Sequence, residues 1–546
     1  MVDRFAMPAK RRTLGLLSSL IVPPLSLLLV ASQFATPAFA GDAPPKAVAA
    51  KPAAPAVAAK PAAPAPVPAG KAIPKTAPPV APVDPAITSL ERFGQGIERL
   101  TLENGLRLVL ASDNSAKTVA VSVTYGVGSR DEGPGQSGFA HLFEHMMFQG
   151  SEHVAKGKHF TFITERGGQL NGTTSSDRTN YFEVLPSTEL PLALWLEADR
   201  MRALAVNAEN FENQRAVVKE EYRMSYENTA YRTGMLRLGE LVFADYPPYA
   251  HPTIGSMKDL DGAKLEWVKT FYDTHYAPKN AVLTIAGDFD RDEAVKLARQ
   301  YFGSIDKPVQ VRAPLPPAPE TVTPRKDVVK DTNAKTPGFF FGYLIPKSRT
   351  PEHYALEVAT ALLGDGDSSR LERLLVRERA VAQQVSAGTY DNVGPDMLLI
   401  SAVLTENAKL PMVEKLVEDE LLKLAKTPPP AAELDKVKRR IRSSFVFGLQ
   451  TNLSRATKLG EYESYFGDAR LLARELQQYQ AVTAEDVQKA VKKYLGAERR
   501  NVVEVVPVEA PPPAAAPAAA KAAAAAAPAA AKPAPVTPVA PKGGKP

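Results

Sequence analysis

Cysteine is absent from this 546-residue chain. That excludes a disulfide scaffold, a cysteine nucleophile, thiolate metal ligands and an N-terminal lipid-modified cysteine. Tryptophan occurs twice and histidine only seven times, so two histidines at helical spacing carry information. Past the first forty residues no stretch approaches 18 consecutive apolar residues, and no transmembrane segment is expected in a processed chain. Net positive charge is missing from the middle of the sequence. The formal net charge is +6, but residues 1–40, 41–85 and 510–546 contribute +3, +3 and +4, leaving −4 for residues 86–509. A nucleic-acid partner is not expected of such a body.

The ends have their own character. Lys10, Arg11 and Arg12 precede an apolar stretch over 14–30, and Ala38-Phe39-Ala40 supplies small residues at a cleavage point. This predicts a secretory signal over 1–40; Pro23-Pro24 interrupts the apolar run and argues against a retained anchor. Export to a periplasm of a Gram-negative type is the expected location. Residues 41–85 and 510–546 hold 23 of the 49 prolines, in Ala/Pro/Lys repeats. Such segments lack the apolar side chains that offset chain ordering, so both are expected to be disordered. A solubilising spacer and a basic tether to cell wall or anionic lipid both remain open for them.

Between the ends the fold class is α+β, in two homologous halves from an internal duplication. The halves are 86–305 and 336–509, with a linker at 306–335 marked by Pro308, Pro314, Pro316, Pro317, Pro319 and Pro324. Asn104-Gly105 between apolar runs at 100–102 and 106–111 predicts a hairpin. Residues 119–125 alternate as a strand. Helices are expected near 138–148, 156–166, 187–204, 208–227 and 262–274, and a closing strand near 281–285. Pro191, Leu196, Asp199 and Leu204 recur as Pro411, Leu416, Asp419 and Leu424, at a constant offset of 220. Asn280-Ala281-Val282 recurs as Asn501-Val502-Val503 at 221. A period this long indicates repeated domains.

The segment Gly138-Phe-Ala-His-Leu-Phe-Glu-His-Met-Met-Phe148 carries the chemistry. His141 and His145, spaced i, i+4, lie about 40° apart on a helix, and Glu144 lies on the same side. Ser137 is the expected N-cap. Phe139, Leu142, Phe143, Met146, Met147 and Phe148 make the helix apolar almost all round, so the polar triplet needs compensation, and a cation supplies it. Two histidines still require a third protein ligand and an open position. The candidate stretch is Arg215-Ala-Val-Val-Lys-Glu-Glu-Tyr222. Taking Val217 and Val218 as the inward face selects Glu221, with Glu220 as the rejected neighbour. The order His-x-x-Glu-His is the inverted zinc motif, so one Zn2+ per chain is expected on His141, His145 and Glu221, with Glu144 as general base.

These features resemble the pitrilysin/insulinase-type zinc peptidases, in particular the shorter branch that includes the mitochondrial processing peptidase and its bacterial homologues. Three stretches carry the resemblance. They are the metal motif with Glu221, the run from Gly167 to Tyr181 that would lie beside substrate, and Tyr276-Ala-Pro-Lys-Asn-Ala-Val-Leu-Thr-Ile-Ala-Gly-Asp288. The resemblance implies two α+β domains forming half of a clamshell around a chamber that admits peptides or unfolded chains. It implies metal-assisted peptide hydrolysis, with Glu144 taking the proton of the attacking water. It also implies a substrate-pairing edge at Asn171 and Gly172, where the family usually has alanine in place of the glycine. Gln214 stands where the family often has a glutamate supporting the metal. The second half has no His-x-x-Glu-His; its equivalent helix is expected at 368–376. The family's arginine–tyrosine pair, seven residues apart, is matched by Arg377 but meets Gln384 in place of tyrosine. A homologous partner subunit supplying that pair is therefore expected, in a heterodimer where this chain bears the metal. A homodimer using Gln384 or Tyr390 is the rival, and a non-catalytic assembly subunit is the alternative function. His153, His159, His251, His275 and His353 are expected on surfaces or loops, Trp195 and Trp267 in helix packing, and Tyr222, Tyr226 and Tyr231 in packing or the chamber wall.

Overall fold

The computed structural model describes residues 85–310 and 312–509. The expected signal at 1–40, most of the 41–85 segment and the tail at 510–546 lie outside the described residues. Eleven strands among the described residues form two sheets. The first uses β1 (Ile97–Thr101), β2 (Arg107–Ser112), β3 (Thr118–Tyr125), β4 (Gln169–Thr174), β5 (Thr179–Pro186) and β6 (Ala281–Gly287), in the order β1-β2-β6-β3-β5-β4. The second uses β7 (Lys326–Asp331), β8 (Gly338–Ile345), β9 (Ala382–Thr389), β10 (Asp396–Leu404) and β11 (Asn501–Pro507), in the order β7-β11-β8-β10-β9. β3 and β8 occupy equivalent central places and open 220 residues apart, as do β6 and β11. The two-sheet α+β architecture expected from the duplication is the one observed.

The hairpin at Asn104-Gly105 forms as expected. Gly105 takes a left-handed φ of 87° and its N–H donates to Leu102 O at 2.9 Å. Asn104 Nδ2 donates to the carbonyls of Phe302 and Ile305, tying the turn to the end of the first half.

The central strands of both sheets are buried on both faces, and the cover is exchanged between halves. In β3, Val119, Val121, Val123 and Tyr125 face the main core of the first half, while Ala120 faces a second cluster. That second cluster is completed by Ala456 and Leu459 of the helix Asn452–Phe466, which belongs to the second half of the chain. Gly460 allows the approach, since a Cβ there would lie 2.7 Å from Thr124 Oγ1 and 3.0 Å from Thr284 Oγ1. Conversely, the helix Arg232–Val242 from the first half packs Leu238, Leu241 and Val242 against Phe340, Leu344 and Val505 of the second sheet.

Several boundaries differ from expectation. The first described helix starts at Pro85 and runs to Gln95, packing Gly94 against Ala473. Proline is well suited to a first helical turn, where its missing N–H costs nothing. The expected linker at 306–335 contains β7, which pairs in parallel with β11. The proline-rich stretch before it hides this strand from a composition reading. In the second half the helix in the place of the metal helix is Pro351–Gly364, directly after β8, and not 368–376. His159 and His353 are buried, at 3% and 1% exposure, rather than at the surface.

Candidate metal centre

The helix Phe139–Met146 is held in a sheath of apolar residues and starts on a built anchor. Ser137 does not cap it. Gly138 is the N-cap, in a left-handed conformation at φ 97°, and makes no side-chain cap. The exposed N–H groups are taken by the carboxylate of Glu132, which accepts from Gly138 N at 2.9 Å and Ala140 N at 2.7 Å. A carboxylate at a helix N-terminus also meets the positive end of the helix dipole. Gly138 is required, because a Cβ would lie 2.9 Å from Gly255 Cα.

This helix presents His141, Glu144 and His145 toward the helix Ala208–Tyr222 and strand β4. His145 Nε2 lies 3.3 Å and His141 Nε2 3.8 Å from the same oxygen, Oε2 of Glu221. The imidazole rings stand edge to face, 4.8 Å between centroids. The three ligand atoms lie within 4.8 Å of one another. Burial holds the His141 imidazole neutral, with its pKa pushed down to about 4, so its lone pair is available to a cation. Burial also lowers His145, but its bond to Glu221 and the charge of Glu144 outweigh this and raise it. Two imidazole nitrogens and one carboxylate oxygen converging on one point are a borderline-soft donor set that suits Zn2+. The residues fit the ion that the motif implies.

Glu144 does not join the three. Its Oε2 accepts from Thr174 Oγ1 at 2.6 Å, which aims the carboxylate along β4. Burial raises its pKa. Gly172 lies against it, buried: a Cβ there would be 3.0 Å from Glu144 Cγ and 3.1 Å from the Tyr181 ring. β4 is the outer strand of its sheet, paired on one side with β5, so Asn171 and Gly172 sit on an open edge beside the carboxylate.

Glu221 faces inward for a different reason from the expected one. Val217 is 43% exposed, whereas Val218 is fully buried. The inward stripe is Gln214, Val218 and Glu221, at spacings of four and three. Gln214 is buried on this stripe, its Nε2 donating to Asn213 Oδ1 at 2.7 Å. Glu220 points to solvent and pairs with Arg223. Arg377 lies in the second half on the π-helical stretch Glu372–Glu378, half exposed and paired with Asp367 at 3.2 Å. Gln384 lies exposed on β9. The structure thus brings together His141, His145, Glu221, Gln214, Glu144, Asn171 and Gly172, and places Arg377 apart in the other half. Thr174, which orients Glu144, was not singled out in the sequence; its position two residues after Gly172, on the same face of an alternating strand, is the signal that was available.

Two family profiles match the chain: "Insulinase (Peptidase family M16)" over residues 107–237 and "Peptidase M16 inactive domain" over 263–441. All four of His141, Glu144, His145 and Glu221 fall within the first, and the second covers a half without that motif. The zinc protease PqqE of Helicobacter pylori is 30% identical over 368 residues, spanning 67% of this chain and 83% of that protein. An uncharacterized zinc protease of Mycobacterium tuberculosis, Rv2782c, is 30% identical over 433 residues, spanning 78% of this chain and 95% of that one. Among solved structures, a protease from Helicobacter pylori is similar with a TM-score of 0.72 and 29% identity, covering 75% of this chain and 99% of the other.

Proposed function

We propose, on the premise that this chain belongs to the insulinase (M16) peptidase family, that it is an exported zinc endopeptidase acting on peptides or unfolded polypeptides. The observation that carries the reading is the convergence of His141, His145 and Glu221 on one point, with Glu144 held beside it by Thr174. Relatives named as zinc proteases support it.

Zinc, when bound, supplies a Lewis acid that acidifies water and polarises a carbonyl. The chain supplies the rest. Glu144 accepts the proton of the attacking water and returns it to the leaving amine. Its raised pKa suits a group that must both take and give a proton. The open edge of β4 at Asn171 and Gly172 pairs with an extended substrate backbone, which asks little of side-chain sequence. Apolar walls around the helix exclude bulk water and so strengthen each of these interactions.

The signal-like residues 1–40 support export to the periplasm. Among the described residues no helix is long and apolar enough to cross a membrane. The place of Arg377 on the second half, paired with Asp367, and the exposure of Gln384 support a shared chamber. In it a homologous partner subunit supplies the missing arginine–tyrosine pair and this chain bears the metal.

The test is metal content and cleavage of a quenched fluorescent peptide, alone and with homologues from the same host. Glu144→Gln is expected to keep one zinc at the site and to abolish cleavage with any partner. Near wild-type turnover by Glu144→Gln would overturn the mechanism. Full activity of the chain alone, unchanged by any homologue, would overturn the heterodimer.

A further inference from the structure

The helix Pro351–Gly364 holds, in the second half, the place that Phe139–Met146 holds in the first: each follows the central strand of its sheet and precedes the edge strand. It too carries a potential ligand pair at i, i+4, His353 and Glu357. His353 is 1% exposed. Its Nε2 lies 3.0 Å from Asp396 Oδ2, a carboxylate with no exposure, which also accepts from the backbone N–H groups of Tyr390 and Asp391. Asp396 therefore fixes the ring orientation and, by taking the Nε2 proton, leaves Nδ1 with its lone pair free. Nδ1 is buried and makes no hydrogen bond, although Glu357 Oε2 stands 3.3 Å away. The carboxylate of Asp391 completes a group whose three ligand atoms lie within 4.8 Å of one another. An imidazole oriented through its far nitrogen by a buried carboxylate, with the near nitrogen unpartnered and facing two more carboxylates, is the arrangement in which metal-binding histidines are held.

We propose that His353 Nδ1, Glu357 and Asp391 form a second divalent-cation site, for Zn2+ or Mn2+, with Asp396 as the positioning residue for the imidazole. One imidazole and two carboxylates lie between the preferences of these two ions. Asp391 is exposed and Glu357 partly so, which gives a cation a way in. Tyr479 donates to Glu357 at 2.9 Å, and Lys458, a cation that acts on Asp391, is engaged by Glu461 at 3.0 Å.

The site has a consequence for the contact between halves. Asp391 lies in the loop before β10, and two residues on Val393 N donates to Asp177 of the first half, while Gly394 N donates to Tyr249. A cation on Asp391 pins this loop where it meets the β4–β5 turn.

The test is zinc content, by mass spectrometry after dialysis of the full chain against Zn2+, with folding followed by near-ultraviolet circular dichroism. Wild type is expected to hold two equivalents and His141→Ala one. His141→Ala combined with Asp391→Asn is expected to hold none, and combined with His353→Gln likewise. Asp391 has a φ of 59°, which asparagine tolerates, so that variant keeps the loop conformation. The same series is repeated with Mn2+. If His141→Ala holds neither ion, or if adding Asp391→Asn removes nothing, the proposal is overturned and His353 is a charged imidazolium bridging Asp396 and Glu357. If wild type and His141→Ala hold equal zinc, it is the first centre that is misassigned.

Discussion

Replacing Gly172 with alanine is expected to slow hydrolysis about tenfold while zinc stays bound. The resemblance implies alanine at this position, and the structure supplies a reason for glycine here. A methyl group at residue 172 would stand 3.0 Å from Glu144 Cγ and 3.1–3.2 Å from two atoms of the Tyr181 ring. Carbon atoms prefer about 3.5–4.0 Å, so the shortfall is roughly half an ångström to one ångström. Tyr181 cannot yield. It is fully buried, packs edge to face on Tyr125 and Phe148, and lies under the Arg200 guanidinium at 4.5 Å. The Glu144 side chain must move instead, pulling against Thr174. A misplacement of 1 Å in a catalytic group costs about a hundredfold, so half that displacement costs about tenfold, or ~1.4 kcal/mol of barrier. The assay is kcat on a quenched peptide with the activity-competent partner present, alongside zinc content and the urea midpoint. A kcat within twofold of wild type would refute the reasoning. So would loss of zinc together with stability, because the methyl would then have displaced the helix rather than the carboxylate.

Two further outcomes follow from contacts between the halves. Asp113 is held by Ser115 and by Arg455 of the opposite half, which lower its pKa from 3.8 to about 2. A depressed carboxylate stabilises the folded state above its unfolded pKa and loses that effect as pH falls through the folded one; Asp113→Asn should therefore lower the urea midpoint at pH 6, with the difference shrinking between about pH 4 and pH 2, and an equal difference at pH 2 would contradict the assignment. Removing residues 1–84 and 510–546 should leave zinc content and cleavage unchanged, whereas removal through Gln95 should lower the melting temperature by several degrees, because it strips Leu90 and the Gly94–Ala473 contact from the 469–474 turn.

What was legible in the sequence was local. His141, Glu144 and His145 lie within five residues of one another, so helical geometry alone puts them on one side. The strand at 119–125 and the hairpin at 104–105 were equally legible, since alternation and an Asn-Gly turn act over a few residues. Glu221 shows the limit. Val217 and Val218 are adjacent, and a pattern cannot say which of two neighbours faces in; the buried one is Val218, and Gln214 rather than Val217 shares the stripe with Glu221. His353 shows another. Its orienting partner Asp396 is 43 residues away on a strand, so nothing local marks it as buried. Its partner at i+4, Glu357, is visible in the sequence, but a lone His–Glu pair falls short of a complete His-x-x-Glu-His. Ser137 failed as a cap because Glu132, six residues before Gly138 and beyond a turn, reaches the helix end first.

The exchanged helices were not legible at all, and they decide whether the metal-bearing half can exist alone. An amphipathic pattern shows that Arg232–Val242 must bury one face; it does not show against which sheet. In the structure that face belongs to the second half, where Leu238 is fully buried and Gly342 leaves the space for it: a Cβ there would meet Val242 at 2.5 Å and Leu238 at 3.0 Å. The first sheet in turn loses its far cover without Asn452–Phe466, exposing Val109, Ala120, Val282 and Ala286, none of which is exposed in the whole chain. Glu463 of the same helix would also be removed, leaving Arg99 and Arg107 without the carboxylate and carbonyl that receive them. An uncovered sheet face and an orphan amphipathic helix together make an aggregation-prone surface rather than a smaller enzyme. Residues 86–335 expressed alone should therefore be insoluble or associate, and should hold no stoichiometric zinc, although all four metal-motif residues are present. A monomeric fragment with one zinc and a cooperative melt would show that the first sheet does not need its borrowed helix, and the exchange would then be a consequence of chain connectivity rather than a condition of the fold.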